Sequence, residues 1–263
     1  MRRNDDLPVA LSVAGSDSGG GAGIQADLLT FRANGVFGTT AITCLTAQSP
    51  GSVSAIEALP AVFVREQIDQ IHRYFRIGAV KTGMLYNREI ISAVSEFLTA
   101  NPEIPAVVDP VMVATSGAVL LHGSAIEALQ SELLPQAALI TPNLDEAGVI
   151  LGQSPRSIHE MREAAVQMAV RFNAPVLLKG GHLEESQDLT DILAMTDGTL
   201  SEFTGKRVEK TNTHGSGCTL SSAIAANLAC KWPLTQAIGE ALTYLRRGLR
   251  QPIFLNGQPF IQH

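Results

Sequence analysis

Short apolar runs alternate with segments of helical periodicity along most of this 263-residue chain, and that alternation constrains the fold more than any other feature. Pro8 to Ala14, Val36 to Ala47, Ala79 to Met84, Ala106 to Met112, Leu139 to Thr141 and Val176 to Lys179 each read as a strand. Between them, apolar residues recur at helical spacing or a cap announces a helix. Ile24 to Asn34 reads as a helix stopped by Gly35. Pro60 stands at a first helical turn, with Val64, Ile68, Ile71 and Phe75 repeating behind it. Asn87 caps a helix reaching about Thr99, and Ser124 with Glu127 and Ser157 with Glu160 form capping-box pairs. Asp191 to Met195 and Thr199 to Phe203 flank Asp197-Gly198 and read as a hairpin. Two helices, one from about Ser216 and one after Pro233, close the chain. Strands that are apolar along their length and alternate with helices belong to a sheet covered on both faces. The expected fold class is therefore α/β, a mostly parallel central sheet with helices on both faces.

No internal repeat or low-complexity linker breaks the pattern, so residues 1–263 read as a single domain. With 45% hydrophobic and 17% charged residues the chain can bury a sizeable core, which excludes global disorder. A net charge of −6 argues against a nucleic-acid-binding surface, which needs clustered Lys and Arg. No apolar run reaches the ~18 residues of a membrane span. Met1-Arg2-Arg3-Asn4-Asp5-Asp6 has no apolar segment behind its arginines, so a cytoplasmic location is expected. Cys44, Cys218 and Cys230 form no CxxC pair, which indicates neither a disulfide framework nor a zinc cage.

In such sheets ligands sit beyond the carboxyl ends of the strands, so the loops there carry the functional information. In Thr213-His214-Gly215-Ser216-Gly217-Cys218 two glycines flank a small residue, and a helix of small residues follows. Glycine permits close backbone approach, and a helix N-terminus offers N–H groups to an anion. A tight turn with no ligand fits the same spacing. The segment is neither a GxxxxGK[ST] loop nor a GxGxxG fingerprint. Cys218 opens that helix, whose dipole is expected to lower the thiol pKa and make it a base or nucleophile. The alternative is a small buried hydrophobe, which suits Cys44 and Cys230. Asp109 ends a strand, Asn143 can cap a helix, and Glu146 lies in that helix's first turn. Carboxylates at strand ends suit Mg²⁺; for Glu146 simple complementation of the helix dipole is the other reading. Lys179 ends an apolar strand before Gly180-Gly181-His182, and a lysine there implies an anion or acid beside it. His182 by itself reads as structural or solvated.

Several segments occur in one order: Ala14 to Asp27 with its glycine run, Ala47-Gln48, Val80-Lys81-Thr82-Gly83-Met84, Val108-Asp109-Pro110-Val111-Met112, Ile140 to Glu146, Leu178 to His182 and Thr213 to Cys218. Each is weak alone, but the ordered set resembles the hydroxymethylpyrimidine/phosphomethylpyrimidine kinases, thiamine-biosynthetic members of the ribokinase-like superfamily. The resemblance spans about residues 8 to 230. It implies a ribokinase-like fold, a homodimer, and use of ATP with Mg²⁺ to phosphorylate 4-amino-5-hydroxymethyl-2-methylpyrimidine, first to the monophosphate and then to the diphosphate. By the same resemblance, Gln48 hydrogen-bonds the pyrimidine ring nitrogen and amino group, a task that suits a carboxamide. Met84 packs on the ring. Gly15, Ala22 and Asp27 belong to the segment around the substrate, with Asp27 equally able to support that loop's hydrogen bonds. Lys179, Asn143 and Thr211 match positions near the ATP phosphates, and Asp109 and Glu146 match the acids around Mg²⁺. Gly215, Ser216 and Gly217 match the anion hole. Cys218 stands where many related kinases carry an aspartate base, and would take the hydroxymethyl proton. Many relatives have Lys where this chain has Thr115, so weaker binding of the phosphorylated intermediate is expected. Pyridoxal or pyridoxine kinase activity is the near alternative. A non-catalytic pyrimidine-binding regulator is the distant one; it would show damage to the anion hole or Lys179, and both are intact.

Overall fold

The computed structural model describes residues 6–49, 51–112, 121, 123–181, 188–208 and 212–263. A nine-stranded sheet runs through it in the order β3-β2-β1-β4-β5-β6-β7-β8-β9. The strands are β1 (Val9–Asp17), β2 (Phe37–Ser49), β3 (Ser52–Ala58), β4 (Ile77–Thr82), β5 (Ala106–Val108), β6 (Leu139–Ile140), β7 (Val176–Leu178), β8 (Asp188–Ala194) and β9 (Leu200–Lys206). β2, β1, β4, β5, β6 and β7 are mutually parallel. β3 at one edge and the β8–β9 hairpin at the other are antiparallel. The mostly parallel order is what the sequence predicts, and the β8–β9 hairpin lies where Asp197-Gly198 puts it.

The helices are α1 (Gly23–Ala33), α2 (Ala61–Tyr74), α3 (Arg88–Ala100), α4 (Gly123–Ala128), α5 (Leu144–Leu151), α6 (Ile158–Phe172), α7 (Ser216–Ala229) and α8 (Leu234–Arg250). Alternation along each strand separates two buried layers. Leu11, Val13, Val80, Val108 and Ile140 face Val64, Ile68, Ile91, Val94, Met161 and Met168 of α2, α3 and α6. Their neighbours Ala10, Ala79, Val107, Leu139 and Leu177 face Phe31 of α1, Ile224 of α7 and Ile238 of α8. The small residues of α7 let it lie close to the sheet: a Cβ on Gly78 would come within 3.1 Å of Ala229.

Several boundaries differ from expectation. β1 does not break at Gly15 but continues to Asp17, with a register shift between Ala14 and Ser16. β5 stops at Val108, so Asp109 stands just beyond the strand. β3 and the C-terminal hairpin β10 (Ile253–Leu255) and β11 (Gln258–Phe260) carry no clear periodicity and are not anticipated. Pro60 is the N-cap of α2 rather than its first residue. Ser124 lies inside α4, not at its cap. Ser157 accepts from the Glu160 N–H at 3.2 Å, but Glu160 accepts from Arg156 N–H, so only half of that capping box forms. Asn143 and Glu146 form a complete one. Among the described residues no helix is long and apolar enough to cross a membrane.

Candidate active site

Two loops far apart in sequence meet at the carboxyl end of β1. Asp17, 3% exposed, organises the first. Its Oδ1 accepts from Gly19 N–H at 2.8 Å, and its Oδ2 from Gly21 N–H at 3.1 Å and Ala22 N–H at 2.8 Å. His214 Nε2 reaches the same Oδ2 at 3.1 Å from the second loop. Burial raises the Asp17 carboxyl, but the His214 and backbone hydrogen bonds outweigh it and hold the group below its ordinary value. The backbones then touch. Gly215 has φ +79°, and a Cβ there would lie 1.9 Å from the Gly21 carbonyl oxygen. Only glycine satisfies both conditions.

Around this junction lie the residues expected to hold an organic substrate. A Cβ on Gly15 would sit 2.8 Å from Cys44 Sγ and 3.6 Å from Met84 Sδ, so these three pack together. The Gln48 side chain, half-buried, accepts from Thr46 Oγ1 at 3.2 Å, and its Nε2 is 3.4 Å from His214 Nε2. Ala22 is the N-cap of α1.

The second half of the site lies past β5, β6 and β7. Asp109 Oδ1 accepts from Lys179 Nζ at 3.1 Å and from Thr141 Oγ1 at 3.3 Å. Lys179 is kept charged above its ordinary value: burial opposes this, while Asp109 and Glu146 favour it. Glu146 completes the α5 capping box with Asn143, whose side-chain oxygen accepts from Glu146 N–H at 2.8 Å. Burial, with Asp109 nearby, pushes the Glu146 carboxyl up to about 7 despite Lys179. Gly217 faces this group. A Cβ there would lie 3.4 Å from both Asp109 Oδ2 and Lys179 Nζ, so the glycine leaves a concavity between a carboxylate and an ammonium. Ser216 N–H is committed to Thr213 O at 3.0 Å. The Gly217 and Cys218 N–H groups belong to the first turn of α7, where no helical carbonyl is available to them.

Beneath Cys218 lies a buried pair in which Asp27, expected at the substrate segment, meets a lysine that the sequence does not single out. Lys81 Nζ donates to both oxygens of Asp27 at 2.8 Å, and both side chains are 0% exposed. Ser222 Oγ donates to Asp27 Oδ1 at 2.7 Å, and Ser12 Oγ donates to Oδ2. Asp27 is therefore sealed in the core against β1, β4 and α7, and contacts neither the substrate side nor the glycine loop. The Cys218 thiol also departs from expectation. Burial and the carboxylates of Asp27 and Asp109 push it up to about 11, against Lys81 and the Gly23 N–H. The helix N-terminus does not make it an acidic thiol.

The structure thus gathers Gly15, Ala22, Gln48 and Met84 at one end, and Asp109, Glu146, Lys179, Gly217 and Cys218 at the other, with Gly215 and Ser216 between. Asn143 is near, but its side-chain oxygen serves the cap. Thr211, Thr115 and His182 lie outside the described residues. Asp17, Lys81 and His214 went unread. The reasoning applied to Lys179 holds equally for Lys81, a lysine inside an apolar strand. Asp17 two residues before Gly19 has the form of a carboxylate-capped turn. A lone His214 gives no signal.

The phosphomethylpyrimidine kinase family model matches residues 17–260. A hydroxymethylpyrimidine/phosphomethylpyrimidine kinase of Rhizobium meliloti is 46% identical over 242 residues, 92% of this chain and 90% of the relative. A thiamine biosynthesis bifunctional protein of Geobacter sulfurreducens is 44% identical over 245 residues, 92% of this chain and 50% of that protein. Among solved structures, a Bacillus subtilis pyridoxal kinase in complex with ADP matches with TM-score 0.90 at 32% identity, covering 98% of each chain.

The Glu146 carboxyl gives a pH test that needs no ligand. Its value in the folded state is raised from 4.5 to about 7, so its stabilising contribution is complete below 4.5 and is lost as pH rises through 7. Glu146→Gln keeps the cap acceptor and removes the titration. Relative to the unaltered protein, it should gain about 1–3 kcal/mol of stability between pH 5 and pH 8 in metal-free urea unfolding. A stability difference that stays flat with pH would contradict the assignment.

Proposed function

We propose that this chain, which belongs to the phosphomethylpyrimidine kinase family, uses ATP to phosphorylate the hydroxymethyl oxygen of 4-amino-5-hydroxymethyl-2-methylpyrimidine and then the resulting monophosphate, in thiamine biosynthesis. The observation that carries this reading is the Gly217 concavity. It lies between Lys179 and Asp109, one residue from Cys218, and the loop that bears it is joined backbone to backbone with the Asp17 loop. A phosphoryl group seated there meets an ammonium, backbone N–H groups and a helix N-terminus.

Phosphoryl transfer asks a protein mainly for positioning and for neutralising charge. Gln48 offers the donor and acceptor that an aminopyrimidine edge requires, and Met84 offers an apolar, polarisable surface for its ring. These place the hydroxymethyl oxygen toward Cys218 and the γ-phosphorus. Lys179 and the Gly217 and Cys218 N–H groups take up charge on the transferring oxygens. A thiol near 11 is mostly protonated at neutral pH, so Cys218 mainly orients the hydroxyl; its ionised fraction accepts the proton. A loose transition state makes little demand on a base.

The donor set also suits Mg²⁺. Asp109 and Glu146 are buried carboxylates beside the ammonium of Lys179, and burial, with Asp109 adding to it, pushes the Glu146 carboxyl up to about 7. An ion held by one or two carboxylates plus phosphate oxygens and water asks for such a pair. When bound, Mg²⁺ would draw charge from the phosphate oxygens; Asp109 and Glu146 would hold it.

Pyridoxal phosphorylation is the second reading, favoured by the close match to a pyridoxal kinase. Residues 1–263 are read as one kinase domain of a cytoplasmic homodimer. In support of a dimer, Phe37 and Tyr74 are exposed and cluster with Phe75, leaving apolar surface for a second copy.

Incubation with the pyrimidine alcohol and Mg-ATP should yield mono- and diphosphate by mass spectrometry, with kcat/KM at least about tenfold above that for pyridoxal, one factor of ~1.4 kcal/mol. A higher value for pyridoxal would replace this reading with the second. Gly217→Ala should keep its melting temperature, because the added methyl meets Asp109 and Lys179 at ordinary contact distance. It should nevertheless lose about 10²-fold in kcat by filling the concavity. Full kcat in this variant would remove the concavity from the mechanism.

A further inference from the structure

The turn that follows Lys179 is fastened by a pair of charged groups that the proposed mechanism does not use. Lys179 N–H donates to Pro142 O at 2.9 Å, which ties the lysine backbone to the end of β6. On the other side, pairing of β7 with β8 ends at Leu178, opposite Ile192. The next N–H after that of Lys179 belongs to Gly180 and donates to Asp191 Oδ1 at 3.1 Å. Asp191 lies on β8 and is 8% exposed. Gly180 approaches β8 so closely that a Cβ on it would lie 2.0 Å from the Thr190 carbonyl oxygen. A carboxylate so buried needs a partner of its own. Asp191 shares the face of Leu193, two residues along, which packs toward α8. Arg246 of α8 reaches it there, with Nη2 3.7 Å from Asp191 Oδ2. The guanidinium is itself fixed, because it donates to the Phe203 and Thr204 carbonyls of β9 at 3.2 Å each. Gly205 leaves room for it: a Cβ there would fall 2.5 Å from Arg246 Cζ. A hydroxyl or an amide would also accept from a backbone N–H. The fold instead uses a buried ion pair, which is a poor source of stability. What the charge adds is a hydrogen bond about twice as strong as a neutral one.

We infer that Asp191 is a positioning residue for the nucleotide phosphates: held by Arg246, it fixes the Gly180 end of the turn and thereby aims Lys179 at the Gly217 concavity. This rests on the phosphate-binding role proposed for Lys179. The line of contact is continuous. Arg246 meets Asp191, and Asp191 meets the Gly180 N–H. One residue back, Lys179 Nζ stands 3.1 Å from Asp109 Oδ1 and 3.4 Å from the place of a Gly217 Cβ. A lysine ammonium rides on a flexible four-carbon stem, so its aim depends on where the backbone roots it. Pro142 roots Lys179 on one side and Asp191 on the other. Asp191 acts through Lys179, not on the phosphate itself.

Binding of Mg-ATP, measured by isothermal titration calorimetry, tests this without turnover. Asp191→Ala takes the acceptor from the Gly180 N–H and should weaken Mg-ATP binding about tenfold, while binding of the pyrimidine alcohol stays within about twofold. Asp191→Asn keeps a side-chain oxygen for that N–H and should recover most of the loss. A double-mutant cycle with Lys179→Met separates positioning from a general structural role. If Asp191 acts through Lys179, Asp191→Ala weakens binding no further in the Lys179→Met background. Equal losses in both backgrounds, or parallel losses for Mg-ATP and the pyrimidine, would overturn the inference, as would unchanged Mg-ATP binding in a folded Asp191→Ala protein. Should Asp191→Ala fail to fold, Arg246→Met keeps the acceptor and removes the group that holds it. That variant should weaken Mg-ATP binding about threefold, and an unchanged affinity would overturn the inference. Absence of Mg-ATP binding by the unaltered protein would defeat the kinase reading, and this inference with it.

Discussion

One carboxylate, Asp17, joins two loops separated by 197 positions, and the site depends on that junction. A glycine run has no preferred shape, because each glycine loses more conformational freedom on folding than any other residue. Asp17 fixes the run by accepting from three of its backbone N–H groups and then accepts from His214 across the gap. The contact of Gly215 with the Gly21 carbonyl follows. Without it the α7 N-terminus, whose first N–H groups have no helical carbonyl, would stand apart from Gln48 and Met84, the residues proposed to hold the pyrimidine. The parallel sheet supplies the frame, since β1, β5, β6 and β7 all end at this side and deliver Asp17, Asp109, Thr141 and Lys179 to it.

Electrostatics in this site work by local balance rather than by overall charge. The chain carries a net charge of −6, yet the proposed site sets an ammonium and backbone N–H groups around the Gly217 concavity. Lys179 is matched with Asp109, and Lys81 with Asp27. Glu146, pushed up chiefly by burial, stands beside Asp109, a pair of carboxylates suited to a divalent ion. The acidic balance of the chain argues against polyanionic partners but is silent about a pocket built from one lysine, Lys179, with glycine backbones and a helix end.

The architecture was largely legible because long apolar strands and periodic helices leave little choice, and because Asn87, Asn143 and Ser157 cap helices as their positions suggest. Elements without such patterns were not legible: β3 and the C-terminal hairpin are short, exposed and mixed in character. Within the site, Asp109, Lys179 and Gly217 come together, whereas Asp27 turns into the core and the electrical states do not follow from sequence. Cys218 shows why. Its place at a helix start suggests a lowered thiol pKa, but burial, with the carboxylates of Asp27 and Asp109 adding to it, reverses the direction. Asp27 itself resembles a residue of the segment around the substrate, and only the packing of α1 against α7 shows that it faces inward to Lys81.

The central claim is that the pyrimidine end and the phosphate end of the site form one working cleft across the Asp17–His214 junction. The most direct measurement is a crystal structure of the protein with the hydroxymethylpyrimidine and a non-hydrolysable ATP analogue. The account predicts the pyrimidine against Gln48 and Met84, the γ-phosphate against Gly217 and Lys179, and the hydroxymethyl oxygen within about 3.5 Å of the γ-phosphorus, beside Cys218. A pyrimidine bound away from Gln48, or a γ-phosphate outside the Gly217 concavity, would contradict it.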